Sequence, residues 1–432
     1  MLSTLAKGAI VAFVLQLLGV AATYISQIFL ARWLGTTEYG IYEYVLTCAL
    51  LLAILAALGL PGAVLRLIPE YRVKQEIGQL RGVLASSLPI VFGAGLIIAA
   101  ISSGLILQLE RLQNWSYAQP LLVGIWLVPL LSAIELQSEM ARTVQRIVLA
   151  RAPKQVFWPI ATVLGAWLIL QIRTPLNSIT LLGLSILILA VIFGLQYWRL
   201  DRIFRPETER VKPIYQFKVW FGVALPLLLG NGFFIVLSYT DVLMLGTWID
   251  PAAVGMYSVA AKTSIWVRFV LQAVNTVVAP MFSELYAQGD RHALQALVSK
   301  TARWMFFPTI FAAILVIVNS EWILGLFGPE FVAARGQTIV LVGGSCVNAL
   351  SGSVGYLMAM TGHQTQSSKV LGYSALVNLV LNVILIPKFA GLGAAIATAT
   401  AMAMWNIWLY VLVVKNIGIH ASAVVTFFKK EL

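Results

Sequence analysis

The 432 residues are 60% hydrophobic and 11% charged, with a mean hydropathy of +0.90, where soluble domains run at about 45–50% and about 25%. So little polar surface cannot coat a 47.2 kDa particle in water, which excludes a soluble enzyme or binding module. Twenty-nine Lys and Arg against 17 Asp and Glu leave a net charge of +12; in a soluble chain that excess would point to nucleic acid, but here the cations sit in short loops between apolar runs, and no nucleic-acid partner is expected.

Runs of about 20 residues with little or no charge read as membrane helices. Twelve follow one another: Gly8–Ala31, Tyr39–Leu60, Val83–Leu107, Ala118–Gln137, Gln155–Ile172, Leu176–Trp198, Lys218–Trp248, Ala252–Pro280, Trp304–Asn319, Gln337–Thr361, Val370–Pro387 and Leu392–Val414. The first is too long, and too closely followed by the second, for a cleaved signal peptide. Cys48 and Cys346 fall inside such runs without the spacing of a disulfide framework or a zinc site. No cofactor is expected beyond a coupling ion, sodium or a proton.

Cytoplasmic loops retain an excess of Lys and Arg during insertion. One face collects 22 of them, most densely at Arg199, Arg202, Arg205, Arg210, Lys212 and Lys218; the other holds 5, Arg32, Arg111, Arg173, Arg335 and Lys388. This predicts a multi-pass, monomeric protein of the cell inner membrane, in contact with membrane lipid, with both termini cytoplasmic. The longest loop, Arg199–Phe217, is too short for a catalytic domain, and His292, His363 and His420 lie far apart. An enzyme is not expected.

At an offset of 215 residues Trp33 falls on Trp248, Gly40 on Gly255 and Tyr42 on Tyr257, and Pro89 and Pro308 each follow an amphipathic stretch, Tyr71–Arg81 and Asp290–Lys300. Repeats of six helices, an even number, are parallel about an axis along the membrane normal. The expected organisation is an all-α polytopic protein: a six-helix lobe over 1–198, a basic linker over 199–217 that is poor in helix around Pro206 and Pro213, a second six-helix lobe over 218–415 and a tail over 416–432, with a central cavity between the lobes. The aromatic residues Trp33, Trp248, Tyr42 and Tyr257 are expected in the outer interfacial belt.

The run Leu30-Ala31-Arg32-Trp33-Leu34-Gly35-Thr36-Thr37-Glu38-Tyr39-Gly40-Ile41-Tyr42 resembles the first hairpin of the Wzx-type polysaccharide flippases, in the multidrug/oligosaccharidyl-lipid/polysaccharide exporter superfamily. Val277-Val278-Ala279-Pro280-Met281-Phe282-Ser283-Glu284-Leu285 with Gly289-Asp290 is similar to the end of that family's eighth helix. The resemblance implies movement of a polyprenyl-diphosphate-linked oligosaccharide from the inner to the outer leaflet by alternating access. Drug exporters of the superfamily commonly carry an acid in the first helix, and Gly8–Ala31 has none, so a drug/cation antiporter is the second reading. Lipid II flippases typically have fourteen helices, and this chain has room for twelve.

Ionisable groups inside a span are costly unless paired or hydrated, and each is a functional candidate. Lys262 and Arg268 offer positive charge to a diphosphate, Trp266 lies one turn from Lys262, and Glu43 completes the candidate substrate contacts. Asp241 and Lys262, at similar depth on consecutive helices, could instead form a structural ion pair. By the resemblance to lipid II flippases, Asp241, Asn378, Asn382 and Thr398 occupy the places of a sodium site, with Asn382 where those proteins have a carboxylate; polar helix-to-helix contacts would explain the same residues. Glu135, Glu139, Arg142 and Arg146 have the spacing of an intrahelical ion-pair ladder. Pro226 with Gly230 and Gly232 marks the seventh run as the candidate hinge, because proline removes a helical hydrogen bond and glycine bends cheaply.

Overall fold

The computed structural model describes residues 2–112 and 117–423. The end of the expected tail, with Lys429 and Lys430, lies outside the described residues. Every regular element among the described residues is a helix. In order these are α1 (Leu2–Ala56), α2 (Leu60–Val73), α3 (Ile77–Leu112), α4 (Ala118–Gly124), α5 (Leu127–Thr143), α6 (Ile147–Ala152), a π turn (Pro153–Phe157), α7 (Trp158–Gln171) and α8 (Ser178–Thr208). They continue with α9 (Phe217–Trp248), α10 (Pro251–Gln288), α11 (Arg291–Val318), α12 (Ser320–Gly325), a 3-10 turn (Pro329–Ala334), α13 (Arg335–Ser351), α14 (Val354–Met360) and α15 (Gln364–Ile417).

Two of these helices are double spans. α1 breaks at Gly35, with φ 74 and ψ 176, and α15 breaks at Ala390, with φ 48 and ψ −128. Counting each break, and taking α4–α5, α6–α7 and α13–α14 as single crossings, six spans lie in each half. The twelve expected runs all fall on them. A helix of 36 residues such as α3 is about 54 Å long at about 1.5 Å per residue, well over the about 30 Å of a hydrocarbon core. Large apolar side chains such as Ile97, Leu164, Leu187 and Phe311 are exposed on the outer faces, as lipid contact demands and water would not permit.

The chain forms two compact units, Met1–Gly232 and Phe233–Leu432. The boundary is thus not the expected linker over 199–217. α8 carries on to Thr208 with Pro206 inside it, and the rest is strapped to the first unit. Arg81 Nη1 donates to the carbonyls of Glu209 and Val211 at 2.8 and 2.6 Å, Ile214 N–H donates to Gly78 O at 2.8 Å, and Arg72 pairs with Glu207 at 2.6 Å. Trp220, at the start of α9, is buried and donates its indole N–H to Tyr71.

Helix α2 is the amphipathic element of this half, and it lies ahead of the expected stretch Tyr71–Arg81. Its apolar residues Leu60, Ala63, Val64, Leu67, Ile68 and Tyr71 recur every three or four positions and are buried, while Arg66 and Glu70 on the other side form a long surface pair. Its entry requires glycine: Gly59 has φ +73, and a Cβ there would stand 2.1 Å from Ala224 O. The expected ladder on α5 is only partly present. Glu139 pairs with Arg142 at 2.7 Å, but Glu135 reaches Lys154 at 2.7 Å in the π turn, and Arg146 lies beyond the helix end. That turn has a local cause. Pro159 offers no N–H to the carbonyl four residues before it, and the Trp158 N–H reaches back five residues to Pro153 O.

The repeat has a structural counterpart at the first corner of each half. Gly35 turns the chain by its positive φ, and 215 residues later Asp250 does so as a helix N-cap, accepting from Ala253 N at 2.7 Å.

Candidate functional site

In the second unit two helical hairpins bring polar side chains to one level. Asp241 and Tyr257 lie eight residues either side of Ile249, and Asn382 and Thr398 eight residues either side of Ala390, about 12 Å from each corner at about 1.5 Å per residue. Asn378, one turn from Asn382, shares its face of α15. The hairpin of α15 closes tightly because Gly391 and Gly393 follow the corner; a Cβ at Gly393 would sit 2.3 Å from Leu385 O. The small residues Ala394, Ala395, Ala397 and Ala401 carry the close packing onward.

Asp241 is 5% exposed, and Asn378 and Asn382 are fully buried. Among the described residues three side chains donate to its carboxylate. Tyr257 donates its hydroxyl to Oδ2, Thr398 Oγ1 donates to Oδ2 at 2.6 Å, and Asn382 Nδ2 donates to Oδ1 at 3.2 Å. Asn382 Nδ2 also donates to Asn378 Oδ1 at 3.1 Å, and Asn378 Nδ2 to Thr398 Oγ1 at 3.4 Å. Asn382 Oδ1, buried, has no hydrogen-bond partner among the described residues. All four residues marked as a sodium set therefore meet, with a fifth, Tyr257, that was expected in the interfacial belt. Tyr257 and its counterpart Tyr42 are both 3% exposed. Both lie inside their units; a buried tyrosine needs a partner for its hydroxyl, and for Tyr257 that partner is Asp241. Trp248, by contrast, is exposed. The sequence signal that could have found Tyr257 is its distance from the corner, equal to that of Asp241.

Lys262, Trp266 and Arg268 follow Tyr257 on α10, all of them half-buried. Arg268 lies within electrostatic reach of Tyr257. Glu43 is buried in the first unit, beside Tyr39, whose hydroxyl donates to Gln27 Oε1 at 2.7 Å. α9 runs unbroken through Pro226, Gly230 and Gly232, and the two compact units part immediately after Gly232. A Cβ at Gly232 would meet nothing within 4 Å; the surroundings of Gly230 lie outside the described residues.

The donor set can do one kind of chemistry well. A carboxylate, a hydroxyl and two amide oxygens are hard ligands, suited to an alkali or alkaline-earth cation rather than a transition metal. Among the described residues no group of three or more His, Cys, Asp or Glu is placed to hold a metal ion.

Residues 5–286 match the family described as polysaccharide biosynthesis protein, and residues 226–384 match the MatE family. The chain is 24% identical over 406 residues to a Haloferax volcanii protein named "Probable low-salt glycan biosynthesis flippase Agl15", covering 93% of this chain and 81% of that one. Among solved structures, an inward-facing multidrug resistance transporter of the MATE family superposes with a TM-score of 0.74 at 11% identity, over 95% of this chain and 98% of that one. The lipid II flippase MurJ in its inward closed conformation superposes with a TM-score of 0.70 at 15% identity, over 94% and 87%. These likenesses establish the fold, an all-α membrane transporter fold of the multidrug/oligosaccharidyl-lipid/polysaccharide exporter type.

Proposed function

The chain belongs to the polysaccharide biosynthesis protein family, and from that premise we propose that it is a flippase, not an enzyme, which carries a polyprenyl-diphosphate-linked oligosaccharide from the inner to the outer leaflet of the cell membrane, coupled to a cation. The likeness to a named glycan flippase over 93% of the chain supports the substrate class. The observation that carries the coupling is the convergence of Asp241, Asn378, Asn382 and Thr398 around one buried carboxylate. Such a group persists in a membrane protein where it is used.

The residues fit sodium: the oxygens of Asp241, Thr398, Asn378 and Asn382 would hold it, and the partnerless Asn382 Oδ1 is a ligand in waiting. Sodium moving down its gradient supplies the free energy of transport. The chain's own part is to bind and to bend. Lys262 and Arg268 meet the diphosphate, Arg268 by a bidentate fit, and Trp266 offers a ring face to a sugar. Tyr257, on the same helix, ties this helix to Asp241. α9 bends at Pro226–Gly232, and a cation at Asp241 biases the two states by its differential affinity.

The test is deletion of the gene, followed by assay of polyprenyl-diphosphate oligosaccharide on the cytoplasmic leaflet. Accumulation there, reversed by the wild-type chain and not by Asp241→Asn, is the expected result. The MatE match over residues 226–384 favours a second reading, a small-molecule/cation antiporter; drug efflux from vesicles without effect on the lipid-linked glycan would select it.

A further inference from the structure

Asn382 holds the Asp241 cluster together in an unusual way. It donates both amide hydrogens, one to Asp241 Oδ1 and one to Asn378 Oδ1, so its NH2 lies between two oxygens on neighbouring elements. Its own Oδ1 is buried without a donor among the described residues, a condition that folded proteins normally avoid. The amide could be turned the other way only by facing its oxygen toward the carboxylate and toward Asn378 Oδ1, three acceptors with nothing positive between them. The network therefore assigns the orientation. Meanwhile Tyr257 and Thr398 both secure the opposite carboxylate oxygen, Oδ2.

We infer that Asn382 is a built-in stand-in for the coupling cation: its NH2 occupies the cation's place between Asp241 Oδ1 and Asn378 Oδ1, and a half-turn of the amide withdraws it and brings Oδ1 in as a ligand when the cation arrives. The inference rests on the cation-coupled reading of this site. It also sets the class of the guest. Asp241 is the one carboxylate in the cluster, so a monovalent ion leaves the buried site neutral, whereas a divalent ion leaves a net charge in an apolar surrounding. Tyr257 positions the carboxylate in both states, because its bond is to the oxygen that Asn382 does not touch.

The test is thermal unfolding of the full chain, purified in detergent, in sodium, choline or calcium chloride at equal ionic strength. Wild type is expected to be stabilised by sodium but not by choline or calcium, and Asp241→Asn to lose the effect. Asn382→Asp replaces the stand-in by a second carboxylate oxygen. It should melt lower in choline, reach half its sodium effect at about a tenth of the wild-type concentration, and respond to calcium. If wild type responds and Asp241→Asn does not, but Asn382→Asp keeps the wild-type sodium midpoint and ignores calcium, the stand-in is overturned and the cation site stands. If wild type ignores sodium while Asn382→Asp responds, both cation coupling and the stand-in fall, because the wild-type site then admits no cation. If neither responds, both fall. Should Asn382→Asp not fold, Asn382→Ser deletes the NH2 and keeps an oxygen: a lower melting temperature in choline with a larger sodium effect supports the inference, and wild-type behaviour in both salts overturns it.

Discussion

Tyr257 has a single hydroxyl hydrogen and spends it on a carboxylate that the bilayer would otherwise leave without water. Tyr257→Phe removes that donor and leaves the ring, so it should cost about 1–3 kcal/mol of stability, read as a lower melting temperature in sodium-free buffer with the helix content unchanged. Glycines give a second, sharper contrast. At Gly82 an added Cβ would stand 2.0 Å from Ile214 O, and at Gly93 it would meet nothing within 4 Å. Gly82→Ala must push the 209–216 segment off α3 and should destabilise by more than about 2 kcal/mol, whereas Gly93→Ala, which only improves helix propensity, should stabilise by up to about 1 kcal/mol. Equal melting temperatures for the two variants would contradict the packing described for the linker.

Among the helices, α9 is the one that belongs to both compact units: Trp220 packs with the first and Asp241 is held in the second. The division after Gly232 falls at the end of the segment Pro226–Gly232, where one backbone hydrogen bond is missing at the proline and bending is cheap. The combined substitution Pro226→Ala, Gly230→Ala, Gly232→Ala should give a folded, inserted protein that labels from one side only and turns over slowly. Cysteine labelling from both faces together with wild-type transport would place the bend elsewhere. α10 makes the complementary connection, since Tyr257 and Arg268 share it, three turns apart. Arg268→Ala should lower transport more than expression, and an equal fall in both would make the arginine structural.

The two halves repeat in layout but not in chemistry. At the offset of 215 that aligns Tyr42 with Tyr257, Asp241 falls on Ser26, Asn378 on Val163, Asn382 on Trp167 and Thr398 on Gly183. The tyrosine is kept in both halves, and the carboxylate with its amide partners in one. Ser26 is buried, so Ser26→Asp would place an acid where no amide pair can receive it. That variant should be destabilised by several kcal/mol, on the order of the cost of an uncompensated buried charge, and should show no second sodium effect in melting curves. The 22 to 5 distribution of Lys and Arg expected between the two faces adds a prediction about the chain in its membrane. A reporter fused to either terminus should be active in the cytoplasm and silent outside.

Local chemistry made much of this readable in the chain. Twelve apolar runs became twelve spans because a backbone in hydrocarbon must satisfy its own hydrogen bonds, and only a helix does so within one segment. The i, i+4 step of Asn378 and Asn382 likewise put both on one face of α15 before any contact was known. Contacts between distant segments were beyond such reasoning. Nothing local says that residues 209–216 bind α3 through Arg81, so the linker read as a boundary although it is part of the first unit. Nothing local separates Tyr257 from an interfacial tyrosine, since the ring suits both places and only the level of Asp241 across the corner decides between them. Folding alone revealed the partnerless oxygen of Asn382, because whether a donor reaches a buried amide depends on every helix packed around it.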